Sequence, residues 1–122
     1  MKPHGKRMLI VEDDPALARM SARLAASLGW VATVVASPSS ALDALAEGAF
    51  DLVISDVGLG EEDGVALASA LKRRTPDLPV IMMSGDPDNL ARALKAGLPV
   101  TLAKPFDRGA LQAALDRALP GT

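Results

Sequence analysis

Four short stretches of this 122-residue chain carry the side chains from which phosphoryl chemistry is assembled. They are Glu12-Asp13-Asp14, Asp56 within Ile54-Ser55-Asp56-Val57-Gly58, Ser84-Gly85, and Lys104-Pro105. Carboxylates held close together repel one another, which raises the proton affinity of some unless a cation neutralises the group. Their oxygens suit a hard divalent ion such as Mg²⁺, which keeps several waters and favours sites shared with phosphate. A carboxylate can itself be the nucleophile and form an acyl phosphate. The group in flight spreads its charge over three equatorial oxygens. A metal can take one, a lysine ammonium another, and a hydroxyl with nearby backbone N–H groups the third. These stretches supply those parts and little else, so they point to phosphoryl transfer to a carboxylate.

The remaining composition removes most alternatives. With no cysteine, disulfides, thiol nucleophiles and thiolate metal sites are excluded, and the single histidine, His4, cannot build a histidine-based zinc site. Lysine and arginine number 13 against 15 acids, a net charge of −2. That balance gives no reason to expect direct nucleic-acid binding or an anionic membrane surface. The polar head MKPHGKR lacks the apolar core of a signal peptide, and no apolar run approaches the length of a membrane span. The default expectation is a soluble cytoplasmic domain. An apolar content of 49% excludes a disordered chain, and a chain of this length buries roughly two-thirds of its extended surface. No repeat, linker or low-complexity tract interrupts it. The expectation is one domain over residues 1–122, with an ordered core at about 7–119.

The elements that must position the four stretches are legible from periodicity. Continuous apolar runs at Met8–Val11, Val31–Ala36, Leu52–Ile54, Val80–Met83 and Val100–Leu102 read as strands covered on both faces. Helical spacing marks the intervals: Leu17, Met20, Leu24 and Leu28; Leu42 and Leu45; Val65, Leu67 and Leu71; Leu90 and Leu94; Leu111, Leu115 and Leu119. Asp14-Pro15, Ser37-Pro38 and Asp86-Pro87 each set a capping oxygen before a proline at the first helical position. Gly29, Gly48 and Gly97 stand where left-handed caps would close three of the helices. Strand and helix thus alternate five times, which demands a parallel sheet with helices on both faces and right-handed crossovers. In such a sheet, ligands bind outside the carboxyl ends of the strands. The four stretches follow the first, third, fourth and fifth strands, so the topology gathers them at one edge.

Read with their neighbours as LIVEDDP, DLVISDVGLGEEDG, VIMMSGD and LAKPF, these stretches resemble the receiver domain of two-component response regulators. Each alone is a weak signal, but four in order at receiver-like separations, spanning essentially the whole chain, are specific. The resemblance implies a flavodoxin-like, doubly wound five-stranded parallel sheet of order 2-1-3-4-5 with five helices. It implies that Asp56 is the phosphoacceptor and that Glu12 and Asp13 are the acidic pair for Mg²⁺, Asp13 being the more direct ligand. Gly58 would add its main-chain carbonyl to the metal. Ser84 would be the switch hydroxyl that contacts the phosphoryl group, and Lys104 its salt-bridge partner. The Lys104-Pro105 peptide would be cis.

The function so implied is a phosphorylation-activated signalling switch. It would be no enzyme beyond catalysing its own phosphorylation and dephosphorylation. A histidine kinase or histidine phosphotransfer protein would dock around Pro15, Ala18 and Ala22, and a downstream protein target would read the result. The face formed by the fourth helix, fifth strand and fifth helix, with Arg92, Lys95, Arg108 and Arg117, would be the signalling and homodimer surface.

Departures and plainer readings stand beside this. Receivers commonly carry an aromatic three residues before the lysine, one that rotates inward on activation. Thr101 is found there, so the Ser84 loop and fourth helix must be moved by other means. Gly60 replaces a usual proline and is followed by Glu61 and Glu62, which implies a looser, more acidic loop. Gly58 has no side chain and leaves the phosphoryl group more open to water. Asp14 and Asp86 read most simply as helix caps, although Asp86 also lies where family members tune dephosphorylation. Asp63-Gly64 reads as a turn and helix start, Lys72, Arg73 and Arg74 as charges complementing a helix dipole, and Trp30 as packing remote from the acids. Two other functions compete. A Mg²⁺-dependent phosphatase with an Asp nucleophile, of haloacid-dehalogenase type, needs a second acid two residues after the nucleophile, where this chain has Gly58. A pseudo-receiver that never takes phosphate lacks the acceptor, the acids or the lysine, and none is lost here.

Overall fold

The structure, a computed structural model, describes residues 6–59 and 62–119. The expectations for His4, Gly60 and Glu61 lie outside the described residues. In chain order the elements are β1 (Lys6–Val11), α1 (Pro15–Ser27), β2 (Trp30–Val35), α2 (Pro38–Glu47), β3 (Leu52–Asp56), β4 (Gly58–Leu59), β5 (Glu62–Asp63), α3 (Gly64–Arg74), β6 (Val80–Ser84), α4 (Pro87–Lys95), β7 (Thr101–Ala103) and α5 (Arg108–Ala118). Five strands form one parallel sheet in the order β2-β1-β3-β6-β7. Counted as the sheet's own strands, this is the flavodoxin-like 2-1-3-4-5 order. The short β4 and β5 pair as a separate antiparallel hairpin in the segment after Asp56, an element that periodicity does not reveal because each strand is two residues long.

Capping starts every helix. Asp14 accepts from the N–H groups of Ala16 and Leu17, Ser37 from Ser40, Asp63 from Val65, Asp86 from Asp88 and Asp107 from Ala110. Each such cap contributes about 1 kcal/mol. Gly29 and Gly97 have positive φ, as left-handed caps require. Gly48 does not: its φ is −154°, and a Cβ there would lie 3.3 Å from the Arg7 guanidinium. This glycine makes room for a side chain rather than for a turn.

Alternation along the central strands divides the core in two. Leu9, Val11 and Val53 face Ala41 of α2, Val65, Leu67, Ala68 and Leu71 of α3, and Ala93 of α4. Met8, Ile10, Leu52, Ile54, Ile81 and Met83 face Ala25 of α1 and Leu111, Ala114 and Leu115 of α5, with Trp30 alongside. Period-two side-chain placement explains the split. Three details differ from the periodic reading. β2 is an edge strand, and Val31 and Val34 are exposed rather than covered. On α1 the buried residues are Ala18, Ser21 and Ala25, so small residues let the helix approach the sheet while Met20 stays exposed. Leu94 of α4 is likewise exposed.

Candidate functional site

β1, β3, β6 and β7 deliver their last residues to one edge, and the register shows how closely. Val11 stands beside Ser55, Asp56 beside Met83, and Ser84 beside Ala103. Main-chain bonds continue the ladder past the strand ends: Glu12 N–H donates to Val35 O at 3.0 Å, Val57 N–H to Met83 O at 2.9 Å, and Lys104 N–H to Ser84 O at 2.9 Å. The backbone of every expected site residue is thus pinned within one residue of a sheet hydrogen bond. The Lys104-Pro105 peptide is cis.

The side chains converge. Lys104 Nζ donates to Glu12 Oε1 at 2.9 Å and to Asp56 Oδ2 at 3.0 Å, and Glu12 Oε2 also accepts the Asp14 N–H at 3.2 Å. Glu12, Asp56 and Ser84 are buried. Asp13 is exposed at the rim, yet carboxylate oxygens of Glu12, Asp13 and Asp56 all lie within 4.8 Å of one another. Burial raises the pKa of Glu12, and the nearby Asp56 charge adds to this against the lowering effect of Lys104 and the Asp14 N–H. Burial disfavours the Lys104 ammonium, but its hydrogen bonds to both carboxylates and their charges outweigh that and raise its pKa. Ser55, also in β3, donates its Oγ hydrogen to the Asp56 carbonyl at 3.0 Å.

The donor set fits a hard divalent cation. Three carboxylates whose oxygens lie within 4.8 Å of one another offer oxygen ligands only, the donor type that a hard divalent ion takes. Gly58 lies two residues beyond Asp56 in β4, paired with Asp63, and a Cβ there would meet nothing within 4 Å.

Ser84 reaches the edge as expected, but its hydroxyl is engaged in its own loop: Oγ accepts the Asp86 N–H at 3.0 Å and Asn89 Nδ2 at 3.4 Å. Asp14 and Asp86 serve as caps, which is their plainer reading. Trp30 opens β2 at the opposite end of the sheet, with the Lys6 ammonium 5.5 Å from its ring centre. The basic face is more engaged than its composition suggests. Arg92 pairs with Asp63 at 3.1 Å, Arg108 donates to Ser27 Oγ and O on α1, and Arg117 donates to Thr101 O.

Two features escaped the sequence reading. Gly64, the first residue of α3, donates its N–H to Val57 O at 2.8 Å. A Cβ on it would lie 2.0 Å from the Asp56 carbonyl oxygen. The second is the Arg92–Asp63 pair. The Asp63-Gly64 dipeptide signals a turn and a cap, but neither contact is encoded locally.

Comparison with known proteins agrees with this fold. The family model for the response regulator receiver domain matches residues 8–116. The transcriptional regulatory protein ZraR of Escherichia coli (strain K12) is 34% identical over 117 residues, covering 94% of this chain and 26% of that protein. The response regulator protein FleR of Pseudomonas aeruginosa is 38% identical over 107 residues, covering 86% of this chain and 23% of its own length. The chain therefore spans about a quarter of the length of these relatives. Among solved structures, the signal receiver domain of an HD domain-containing protein from Pseudomonas fluorescens Pf-5 superposes with a TM-score of 0.86 at 28% identity. That match covers 98% of this chain and 90% of the other.

Proposed function

This chain belongs to the response regulator receiver domains, and on that premise we propose that it is a switch thrown by phosphorylation of Asp56. The observation that carries the proposal is the single Lys104 ammonium shared between Glu12 and Asp56 at 2.9 and 3.0 Å, inside a carboxylate cluster that fits a divalent cation. One oxygen of Asp56 attacks phosphorus. A new P–O bond forms as the donor's bond to phosphorus breaks, and the electron pair leaves with the departing group, which takes up a proton from solvent. Lys104 holds the acceptor carboxylate in place and faces the negative charge gathering on the phosphoryl oxygens. Ser84, released from the Asp86 N–H, offers its hydroxyl to another oxygen. Glu12, Asp13 and Asp56, with the Gly58 carbonyl, would hold Mg²⁺. When bound, that ion supplies charge neutralisation for the carboxylates and for the phosphoryl oxygens.

The proposal includes a histidine kinase or histidine phosphotransfer protein as donor, a downstream protein as reader, and a cytoplasmic setting. Among the described residues no helix is long and apolar enough to cross a membrane. The test is intact mass after incubation with acetyl phosphate, with and without Mg²⁺, beside Asp56→Asn. One Mg²⁺-dependent phosphate adduct, absent from the variant, is expected. An adduct that survives in Asp56→Asn would refute the assignment. A folded, Mg²⁺-binding protein that takes neither acetyl phosphate nor beryllofluoride would make the domain an interaction module instead.

A further inference from the structure

Turning Ser84 from its own loop toward Asp56 releases two hydrogen bonds to the start of α4, and polar contacts hold much of the rest of this helix. Of its nine residues only Ala93 is buried. At its start, Ser84 Oγ is engaged by the Asp86 N–H and Asn89. Just beyond its end, Lys72 Nζ donates to Gly97 O at 2.9 Å. Between these, Arg92 Nη1 donates to Asp63 Oδ2 at 3.1 Å, across 29 residues of sequence.

Asp63 is joined to the acceptor by a short run of contacts. Its other oxygen, Oδ1, accepts the Val65 N–H and caps α3. Its backbone pairs with Gly58 in the hairpin. The next residue, Gly64, is bonded to Val57 O and abuts the Asp56 carbonyl with no room for a side chain. From Arg92 the path is therefore Asp63, Gly64, Val57 and the main chain of Asp56. A nine-residue helix is about 13 Å long, and if it shifts as one rod, motion of the Ser84 end carries Arg92 with it.

We propose that the Arg92–Asp63 ion pair is a latch, with Arg92 a positioning residue that holds α4 in its resting place and biases the protein against the phosphoryl-bound arrangement. The proposal rests on the reading of Asp56 as acceptor. Side-chain exposures of 49% and 46% put the pair among solvent-screened contacts, so it shifts the balance by about two- to five-fold rather than by decades. Such a latch can be opened by one phosphoryl group.

The experiment uses the whole chain and beryllofluoride with Mg²⁺ as the probe, reading its apparent affinity together with hydrogen exchange of the α4 amides without metal. Arg92→Gln is expected to bind beryllofluoride about two- to five-fold more tightly than wild type and to exchange its α4 amides faster by a similar factor. Its Mg²⁺ affinity without beryllofluoride should be unchanged. Arg92→Lys, which keeps the charge, should lie close to wild type, and 1 M salt should close the gap between Arg92→Gln and wild type. Equal beryllofluoride affinity in Arg92→Gln and wild type, unchanged α4 exchange, or a gap insensitive to salt would each overturn the latch while leaving the acceptor reading intact. A wild-type protein that binds Mg²⁺ but no beryllofluoride would overturn both.

Discussion

Gly64→Ala adds one methyl group at the place where α3 meets the end of β3. An ideal Cβ on Gly64 lies 2.0 Å from the Asp56 carbonyl oxygen, 2.9 Å from Val57 O and 3.0 Å from the Asp56 carbonyl carbon. The nearest obstacle is backbone, which cannot swing aside as the end of a side chain can. Restoring an ordinary contact of 3.4 Å or more requires a displacement of about 1.4 Å, and interiors packed at crystal density do not absorb that freely. Overpacking of this kind costs about 1–3 kcal/mol. If α3 retreats, the 2.8 Å bond from Gly64 N–H to Val57 O goes too, at about 0.5–1.5 kcal/mol. Alanine's helix preference returns up to about 1 kcal/mol, which leaves a net loss between about 0.5 and 4.5 kcal/mol. Urea unfolding measures it, with Gly58→Ala as a control, because a Cβ at that position meets nothing within 4 Å. The same displacement moves the main chain of Asp56, the acceptor on the reading proposed above, and a misplacement of 1 Å can slow a positioned reaction by about 100-fold. The acetyl phosphate reaction of the folded variant should slow by at least ten-fold within that bound. A Gly64→Ala protein within about 0.5 kcal/mol of wild type and phosphorylated at the normal rate would refute the close-approach argument.

Two further outcomes follow from the charges. Lys104→Ala leaves the buried Glu12 and Asp56 carboxylates facing each other without their shared ammonium. Breaking a buried pair costs about 3–5 kcal/mol, and the 14% exposure of the lysine side chain places this one at the low end. Its unfolding free energy in EDTA should fall accordingly, with Mg²⁺ returning part of the loss; wild-type stability in EDTA would count against the shared-ammonium account. For Asp63, slight burial favours the protonated form, but the Arg92 hydrogen bond, the Val65 N–H and the Arg92 charge outweigh it and lower the pKa. A depressed carboxyl contributes stability that is full above its unfolded value of about 3.9 and is lost as pH falls through the lower folded value. Acid titration of unfolding should therefore show a smaller loss below about pH 4 in Arg92→Gln than in wild type, and superimposable curves would mean that the pair contributes nothing.

The acidic edge is legible in sequence because each of its parts sits immediately after an apolar run. An open parallel sheet sends all such positions to one side. Asp14, Ser37 and Asp86 announce their helices through the proline that follows each. What sequence conceals is approach between elements. Nothing about Gly64 in isolation says that α3 lies against the Asp56 carbonyl, and nothing about Gly48 says that the Arg7 guanidinium fills the space beside it. The apolar content of Trp30–Val35 suits a covered strand equally well as the edge strand it is, since β2 is flanked on one side only. Arg92, Arg108 and Arg117 look interchangeable as surface cations. Their different partners, Asp63, Ser27 and Thr101, are fixed by crossing geometry that local pattern does not carry.

Thr101 connects these observations. Where receivers commonly use an aromatic ring that moves between exposed and buried positions, this chain has a half-buried threonine whose carbonyl is held by Arg117 Nη2 at 2.9 Å. β7 is therefore tied to α5 and offers no ring to bury. A large side chain going from water to the interior contributes about 1.5–3 kcal/mol, whereas an exposed ion pair is worth about 0.2–1 kcal/mol. If the Arg92–Asp63 pair is the latch proposed above, with no ring to bury, less free energy would separate the resting and phosphoryl-bound arrangements. On that reading the remaining bias comes from the α4 side, and its Arg92–Asp63 part is sensitive to salt because that pair is about half exposed.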